Sequence, residues 1–564
     1  MEARLVAILE RERRAGSQAV REVHALTVEE RVAAGDALRG LEMELQEEGG
    51  WQLRCRENLS RFREGDLLWL SDGRKIESGL PVVFRDFDPA SGRIRVEADR
   101  FQSGGRLEKN GELVLDRRKL DLTDRTITAV RAVFQHADFA AARDLLSGSR
   151  KQTEVAAPGR QGVPGPLDED QTRAFQHACG REFQLIQGPP GAGKTRLAAE
   201  VCRAFLAAGQ QVLVSAFTHQ AVNNVLRAIA RSGPKLPAQS LIKIGAPHQA
   251  EKLREDGVSL VPTARRLPRI EGPVVVGVTS HAACGLLGRR FDLALVDEAG
   301  QVSLAQACSV LPLSLRHVII GDHMQLPPLL VAEHDDPLAG RSLFEHLHEL
   351  YGSDLLGHTY RMNDALCRFP SEAFYGGRLR AAESNRNSRL ELGTSAGEVL
   401  AAEPQGVILP MDHHGARILA PMEAEVAADL VARAVAAGLP PEEVAVIAPH
   451  RAQGTRIRNL LRERLDHLEP ERQPLVDTVE RIQGGERDLI ILSLTASDPE
   501  ALLSEAAFFF SPNRLNVSLT RARKKLVILM SEAILEAFPD DPSALKGADL
   551  LRRVWRAYPR LPAP

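Results

Sequence analysis

The segment "LIQGPPGAGKTRLAAEV" constrains what this chain can fold into more than any other. An apolar run stops at Gly188, a glycine-rich turn follows, and helical spacing begins near Lys194. Glycines at 188, 191 and 193 let backbone N–H groups turn inward, and the N-terminus of the following helix adds a favourable dipole. Together these make a cradle for phosphate oxygens, and they work only between a strand and a helix. Gly188, Pro189, Pro190, Gly191, Ala192 and Gly193 are expected to form the cradle. Lys194 is expected to reach the β- and γ-phosphates of ATP, and Thr195 to ligate Mg²⁺.

Around this loop, short apolar runs alternate with helical segments. "FQLIQ", "QVLVSA", "PVVVGVTS", "LALVDEA" and "HVIIGD" form one set; "GVILP", "EVAVIAPH", "LVDTVE", "LIILSLT" and "KLVILM" form a second. Continuous apolar strands divided by helices are the pattern of parallel sheets covered on both faces. The fold class is α/β, with two tandem domains at 167–350 and 351–545 and a C-terminal tail at 546–564. A chain of 564 residues is long enough to require several cores.

The N-terminal part differs. Residues 1–47 show helical spacing, with Leu5, Ile8 and Leu9 and later Leu38, Leu41 and Leu45 set among charges. From 51 to 122 short alternating runs separated by turn residues predict a small β-barrel. "TDRTITAVRAVFQHADFAAARDLL" then returns to helical period, so 1–149 reads as a helical stalk carrying a barrel. Residues 150–166, with "APGRQGVPGP", read as a linker.

A net charge of -3 gives no polycationic signature, so a nucleic-acid partner would need local arginine-rich grooves. Arg93, Arg95, Arg100, Arg117 and Arg118 on the barrel edges are candidates to flank such a groove. The cysteines at 55, 179, 202, 284, 308 and 367 form neither CxxC pairs nor Cys/His clusters, which argues against zinc, iron–sulfur clusters and a disulfide framework. The first residues lack a signal-peptide pattern and no apolar run reaches membrane-span length, so a soluble cytoplasmic protein with no membrane partner is expected.

"FDLALVDEAG" supplies the second piece of chemistry: a buried strand that emerges into Asp297 and Glu298. At the C-terminal edge of a parallel sheet, Asp297 is suited to hold Mg²⁺ and Glu298 to act as general base on the attacking water.

Over roughly 167–535 an ordered series of motifs resembles superfamily 1 helicases, in the group B branch of the nonsense-mediated-decay helicase and the flap-processing nuclease-helicase. "LDEDQTRAF" resembles the Q-motif, "VSAFTHQAVNNVL" motif Ia, "VGVTSHAA" Ic and "VDEAGQ" II. "IIGDHMQLPP" resembles III, "HTYRMNDALCRFPSEAFYGGRL" IV, "VDTVERIQGGERDLIILSLT" V and "NRLNVSLTRARKKLVIL" VI. The resemblance implies RecA-like domains with nucleotide between them. It places Gln171 on the adenine edge, Tyr360 on the base, Glu486 on the ribose and Gln325 beside the γ-phosphate. Arg361 and Arg521 become the arginines that reach across the cleft to that phosphate, with Lys194 and Glu298 completing the catalytic set. Thr218, His219, Thr279, Ser280, His450, Arg451 and Thr478 become contacts to a single strand of DNA or RNA.

The implied activity is an ATP-dependent translocase or helicase, 5′-to-3′ on DNA, working as a monomer with ATP and Mg²⁺. An RNA or ribonucleoprotein remodeller is an alternative, and so is a nucleotide-switched scaffold that does not unwind; Glu298, Arg361 and Arg521 favour turnover. Motif II reads DEAG, where the branch usually has Ser or Ala in place of the glycine. No cysteine cluster precedes the motifs, so the nuclease half of the flap-processing relatives is not expected.

Overall fold

Successive residues of each parallel strand face opposite cores, and that alternation organises most of the molecule. The structure, a computed structural model, describes every residue except 48–49, 56–57, 59, 61, 63, 89–90, 100–111, 159–164, 247–249, 394–395, 467, 469–471 and 483–484. Arg100 and part of the expected linker lie outside the described residues.

The first sheet orders its strands Ser259–Val261, Leu241–Ile244, Val274–Thr279, Gln211–Ala216, Leu293–Val296, His317–Gly321, Phe183–Gln187 and Asp354–Leu355. Every neighbouring pair is parallel. Ile186, Val212, Val275, Leu295 and Ile320 pack against the helices Glu169–Gly180, Lys194–Ala207 and His219–Arg231. Leu185, Leu213, Val276, Ala294 and Ile319 face the other way, into a core completed by Leu5 and Ile8 of helix Glu2–Ala25 and Val130 and Val133 of helix Thr123–Gln135. The stalk is therefore one cover of this sheet, so the barrel it carries is anchored to the first domain.

The second sheet orders Gly406–Pro410, Ala522–Met530, Arg487–Ser493, Val444–Ile447 and Leu475–Asp477, again all parallel. Helices Pro421–Ala436 and Arg451–Arg464 cover one face. Asp364–Phe374 and Pro542–Ala557 cover the other. The α/β reading with a barrel-bearing stalk is borne out.

Four boundaries differ from the sequence reading. The barrel closes through six antiparallel strands in the order Ala37–Glu47, Gly50–Arg54, Arg93–Ala98, Leu80–Asp88, Leu67–Ser71 and Leu113–Arg117. Residues 37–47 are thus a strand rather than a helix. The helix-like spacing of Leu38 and Leu41 arises from a register shift between them, where Gly40 takes φ +68 and both leucines still point into the barrel core. Second, barrel strands begin at Ala37, ahead of the expected start at 51. Third, Asp354–Leu355 pairs with Ile186 and Gln187, carrying the first sheet past the expected boundary at 350. Fourth, most of the expected tail is structural: helix Pro542–Ala557 buries Leu550, Leu551 and Val554, and Ile408 exchanges backbone hydrogen bonds with Pro559 and Leu561.

At Gly547 in that helix a Cβ would stand 1.6 Å from the Phe510 carbonyl oxygen. Gly547→Ala is expected to destabilise the second domain by about 3 kcal/mol or more, because the obstacle is backbone that cannot rotate away. An unchanged urea midpoint would contradict the helix's close seat on Phe510.

Candidate nucleotide site and strand-facing edge

Parallel strands bring their C-terminal ends to one edge, and there the first sheet gathers its chemistry. Adjacent strands Leu293–Val296, His317–Gly321 and Phe183–Gln187 lead into Asp297-Glu298, Asp322 and the loop at Gly188. On the far side of Leu293–Val296, strands Gln211–Ala216 and Val274–Thr279 lead into Thr218-His219 and Thr279-Ser280. The second sheet uses both of its edges. Glu486 and Arg521 immediately precede strands Arg487–Ser493 and Ala522–Met530, while His450, Arg451 and Thr478 follow Val444–Ile447 and Leu475–Asp477.

Within the glycine-rich loop, Gly191 and Gly193 take φ +73 and +76, a conformation costly for any residue with a Cβ. Lys194 Nζ donates to Gly188 O at 2.7 Å. Gln171 is buried: its Nε2 donates to Ala192 O at 3.0 Å, and its Oε1 accepts from Asp168 N at 3.3 Å in a capping box. The amide thus braces the loop, because the third residue of a capped helix reaches back to the cap. Tyr360 is 45% exposed with its hydroxyl donating to Asp168 at 2.7 Å, so its ring lies open beside the loop.

Asp297 is 3% exposed, and its Oδ1 has no hydrogen-bond partner among the described residues. Burial pushes its carboxyl upward, the neighbouring Glu298 charge pushes the same way, and Lys194 opposes both. A buried acid with an orphaned oxygen beside a threonine-bearing phosphate loop fits a divalent cation, which would favour the carboxylate. Glu298 stands at φ +50, a left-handed conformation that non-glycine residues rarely adopt and that clusters at functional sites.

Residues 359–361 reach the loop from the second domain. Thr359 Oγ1 donates to Pro190 O and Tyr360 N to Gly191 O, both at 2.8 Å. A Cβ at Gly191 would stand 2.5 Å from Arg361 Cβ. Arg361 is held by Glu486 at 2.5 Å and by Thr520 O at 3.0 Å. Arg521 is 3% exposed, and its Nε has no partner among the described residues. Burial lowers its pKa to about 9, Arg361 pushes the same way, and Glu298 and Glu486 counter. Both arginines therefore share one electrostatic neighbourhood with Glu298. Glu486, itself partly exposed, pairs with Arg361 and offsets the charge around the buried Arg521.

Gln325 sits beside the same cleft, with its Nε2 donating to Asp322 at 2.9 Å. Asp322, Tyr375, Asn513 and Asn516 join the site here, although the sequence reading singled out none of them. Asp322 had a signal, since it follows an apolar strand just as Asp297 does; Tyr375, Asn513 and Asn516 stand inside the stretches that resemble motifs IV and VI, but nothing local in the sequence marks what they bond to.

The strand-facing candidates divide. Thr218 caps helix His219–Arg231 by accepting from Ala221 N at 3.1 Å, which leaves its O–H free to donate. His219 lies 3.1 Å from the buried Lys243 Nζ. Thr279 and Ser280 are buried, Ser280 completely, so Ser280 supports the edge and does not reach a surface ligand. His450 stacks on Phe508 at 5.3 Å, and burial lowers its pKa. Arg451 beside it is exposed, and Thr478 is half-buried.

Gly191→Ala adds left-handed strain of about 1–2 kcal/mol to a clash with Arg361. Affinity for a fluorescent ATP analogue is expected to fall about tenfold or more; unchanged affinity would separate the loop from residues 359–361.

Two AAA domain family models match the chain, over residues 166–393 and 339–533. The DNA replication ATP-dependent helicase/nuclease JHS1 of Arabidopsis thaliana is 28% identical over 402 residues, covering 66% of this chain and 29% of that protein. Mouse (Mus musculus) DNA replication ATP-dependent helicase/nuclease DNA2 is 29% identical over 413 residues, covering 66% and 38%. The Regulator of nonsense transcripts 1 homolog of Arabidopsis thaliana is 29% identical over 439 residues, covering 68% and 34%. This chain thus spans between 29% and 38% of the length of these relatives.

Proposed function

We propose that this chain, which belongs with the superfamily 1 helicases, is an ATP-driven translocase that moves along single-stranded nucleic acid in the 5′-to-3′ direction. The observation that carries the proposal is the meeting of two domains at one loop: Gly191 packs on Arg361, and Arg521 lies in the electrostatic reach of Glu298. Residues from both sheets then act on one phosphate.

Lys194 exchanges the Gly188 carbonyl for the β- and γ-phosphates of ATP, and Tyr360 offers its exposed ring to the base. Thr195 and Asp297 are the residues that would hold Mg²⁺, which when bound offsets phosphate charge. Glu298 takes a proton from the attacking water, and Gln325 positions that water beside the γ-phosphate. Arg361 and Arg521 stabilise the charge that spreads over the transferred group, a contribution typically worth about 10³–10⁵ in rate. Once the phosphate leaves, the arginines lose their target, and the cleft opens and recloses with each turnover.

A strand lying across Thr218 and His219 of one domain and Arg451 and Thr478 of the other would be gripped alternately as the cleft works. Hydroxyl and guanidinium contacts to phosphates are independent of sequence, as translocation requires. Single-stranded DNA is the proposed track, because the DNA replication helicase/nucleases are among the relatives matched. The motor works as a monomer in a reducing cytoplasm, which suits six free cysteines.

Lys194→Ala is expected to abolish ATP binding, whereas Glu298→Gln retains binding with turnover reduced at least about a hundredfold. Normal hydrolysis by Glu298→Gln would remove Glu298 from the role of base.

Arg361→Ala and Arg521→Ala should cut strand-stimulated kcat far more than ATP affinity, and leave nucleotide-free strand binding intact. A duplex with a 5′ overhang should be unwound and one with a 3′ overhang should not; the reverse result overturns the polarity. Stronger ATPase stimulation by RNA than by DNA of equal length would favour a ribonucleoprotein remodeller.

A further inference from the structure

Behind the arginines the two domains meet at a buried polar junction. Asp322, 3% exposed, accepts at Oδ2 from Gln325 Nε2 at 2.9 Å and from the Tyr375 hydroxyl at 2.8 Å. Its Oδ1 accepts from Gln187 Nε2 and from Met324 N, both at 3.2 Å. Tyr375 caps helix Asp364–Phe374 in the second domain, and its hydroxyl accepts from Asn516 Nδ2 at 2.9 Å. The same Nδ2 donates to Met324 O at 2.7 Å. One turn earlier on helix Pro512–Leu519, Asn513 Nδ2 donates to His323 O at 2.8 Å and also to Gln325 O. Residues 322–325, the segment that carries Gln325, are therefore bonded at each position by side chains of the second domain.

We propose that Tyr375 is a positioning residue that makes the placement of Gln325 depend on the second domain being docked. The proposal rests on the ATPase reading above. A phenol has a single proton to donate, and here it goes to the oxygen of Asp322 that also holds Gln325. Burial, and then the charge of Asp322, keep that phenol protonated, so the donation is not lost by ionisation. Tyr375, Leu366, Val517 and Leu519 share one core of the second domain, against which Met324 and Leu326 also pack, so the two helices that hold 322–325 are joined to each other through that core. Helix Pro512–Leu519 leads directly into Thr520, whose carbonyl holds Arg361, and then into Arg521. The body that delivers both arginines thus also fixes Gln325. When it withdraws, Asp322 exchanges a buried phenol for water, and the carbonyls of 323, 324 and 325 lose their donors together. Water positioning and charge stabilisation then switch on and off in one movement, which prevents hydrolysis with the arginines away.

The test is a double-mutant cycle between Tyr375→Phe and Gln325→Ala, read as strand-stimulated kcat and KM for ATP. Tyr375→Phe preserves the ring and removes only the hydroxyl. It is expected to lower kcat about tenfold with KM changed less than about twofold, since the bond matters in the transition state and not in substrate binding. In the Gln325→Ala background it should have no further effect on kcat. Asn516→Ser breaks the same chain from its other end; it should show the same pattern, and it carries the cycle if Tyr375→Phe melts below the assay temperature. An unchanged kcat overturns the proposal, as does a loss that adds fully to that of Gln325→Ala. Wild-type protein that hydrolyses no ATP overturns the ATPase reading and this proposal together, whereas wild-type turnover with additive variants overturns the role of Tyr375 alone.

Discussion

The approach of Arg361 to Gly191 is the contact on which the cleft rests. Only a residue without a side chain lets residues 359–361 settle on the loop, where Thr359 and Tyr360 donate to the carbonyls of Pro190 and Gly191. That approach sets Arg361 close to Arg521, and two guanidinium groups in a buried place repel. Glu486 and Glu298 supply the compensating charge, one from each domain. Steric permission at one glycine and charge balance around two arginines are therefore parts of the same arrangement.

Sheet direction explains how the two domains divide the work. In the first sheet all the candidate chemistry lies at the C-terminal ends of strands, with phosphate-facing residues and strand-facing residues on different halves of the same edge. In the second sheet the arginine and glutamate precede strands, whereas Arg451 and Thr478 follow them. A rotation of the second domain about its junction with the first thus moves its phosphate-facing and strand-facing groups together, since one rigid sheet carries both. The stalk takes part differently. Packed into the first domain's core through Leu5, Ile8, Val130 and Val133, it keeps the barrel in fixed relation to that sheet.

Much of the site was legible because its signals are local. A phosphate loop is one strand, one turn and one helix, so Gly188 to Thr195 announce themselves within a few residues. Asp297 and Glu298 follow the same logic, as residues that leave an apolar strand. Barrel residues 37–47 misled for an equally local reason: a bulge at Gly40 gave a strand the three-residue spacing of a helix. The C-terminal helix looked like a tail because its apolar residues have no partner in sequence; their partners are Phe510 and the second sheet.

By itself, then, the sequence determined the parallel-sheet class, the loop that cradles phosphate and the acidic strand end, since each depends on periodicity and on residues close along the chain. Tertiary structure alone decided what those residues are bonded to. Gln171 braces the loop, Glu486 balances Arg361, Ser280 is buried, and Tyr375 reaches Asp322 from 53 residues away along the chain. Such pairings follow from how two domains meet. The free energy of that meeting is summed over many distant side chains, and no short window of sequence contains it.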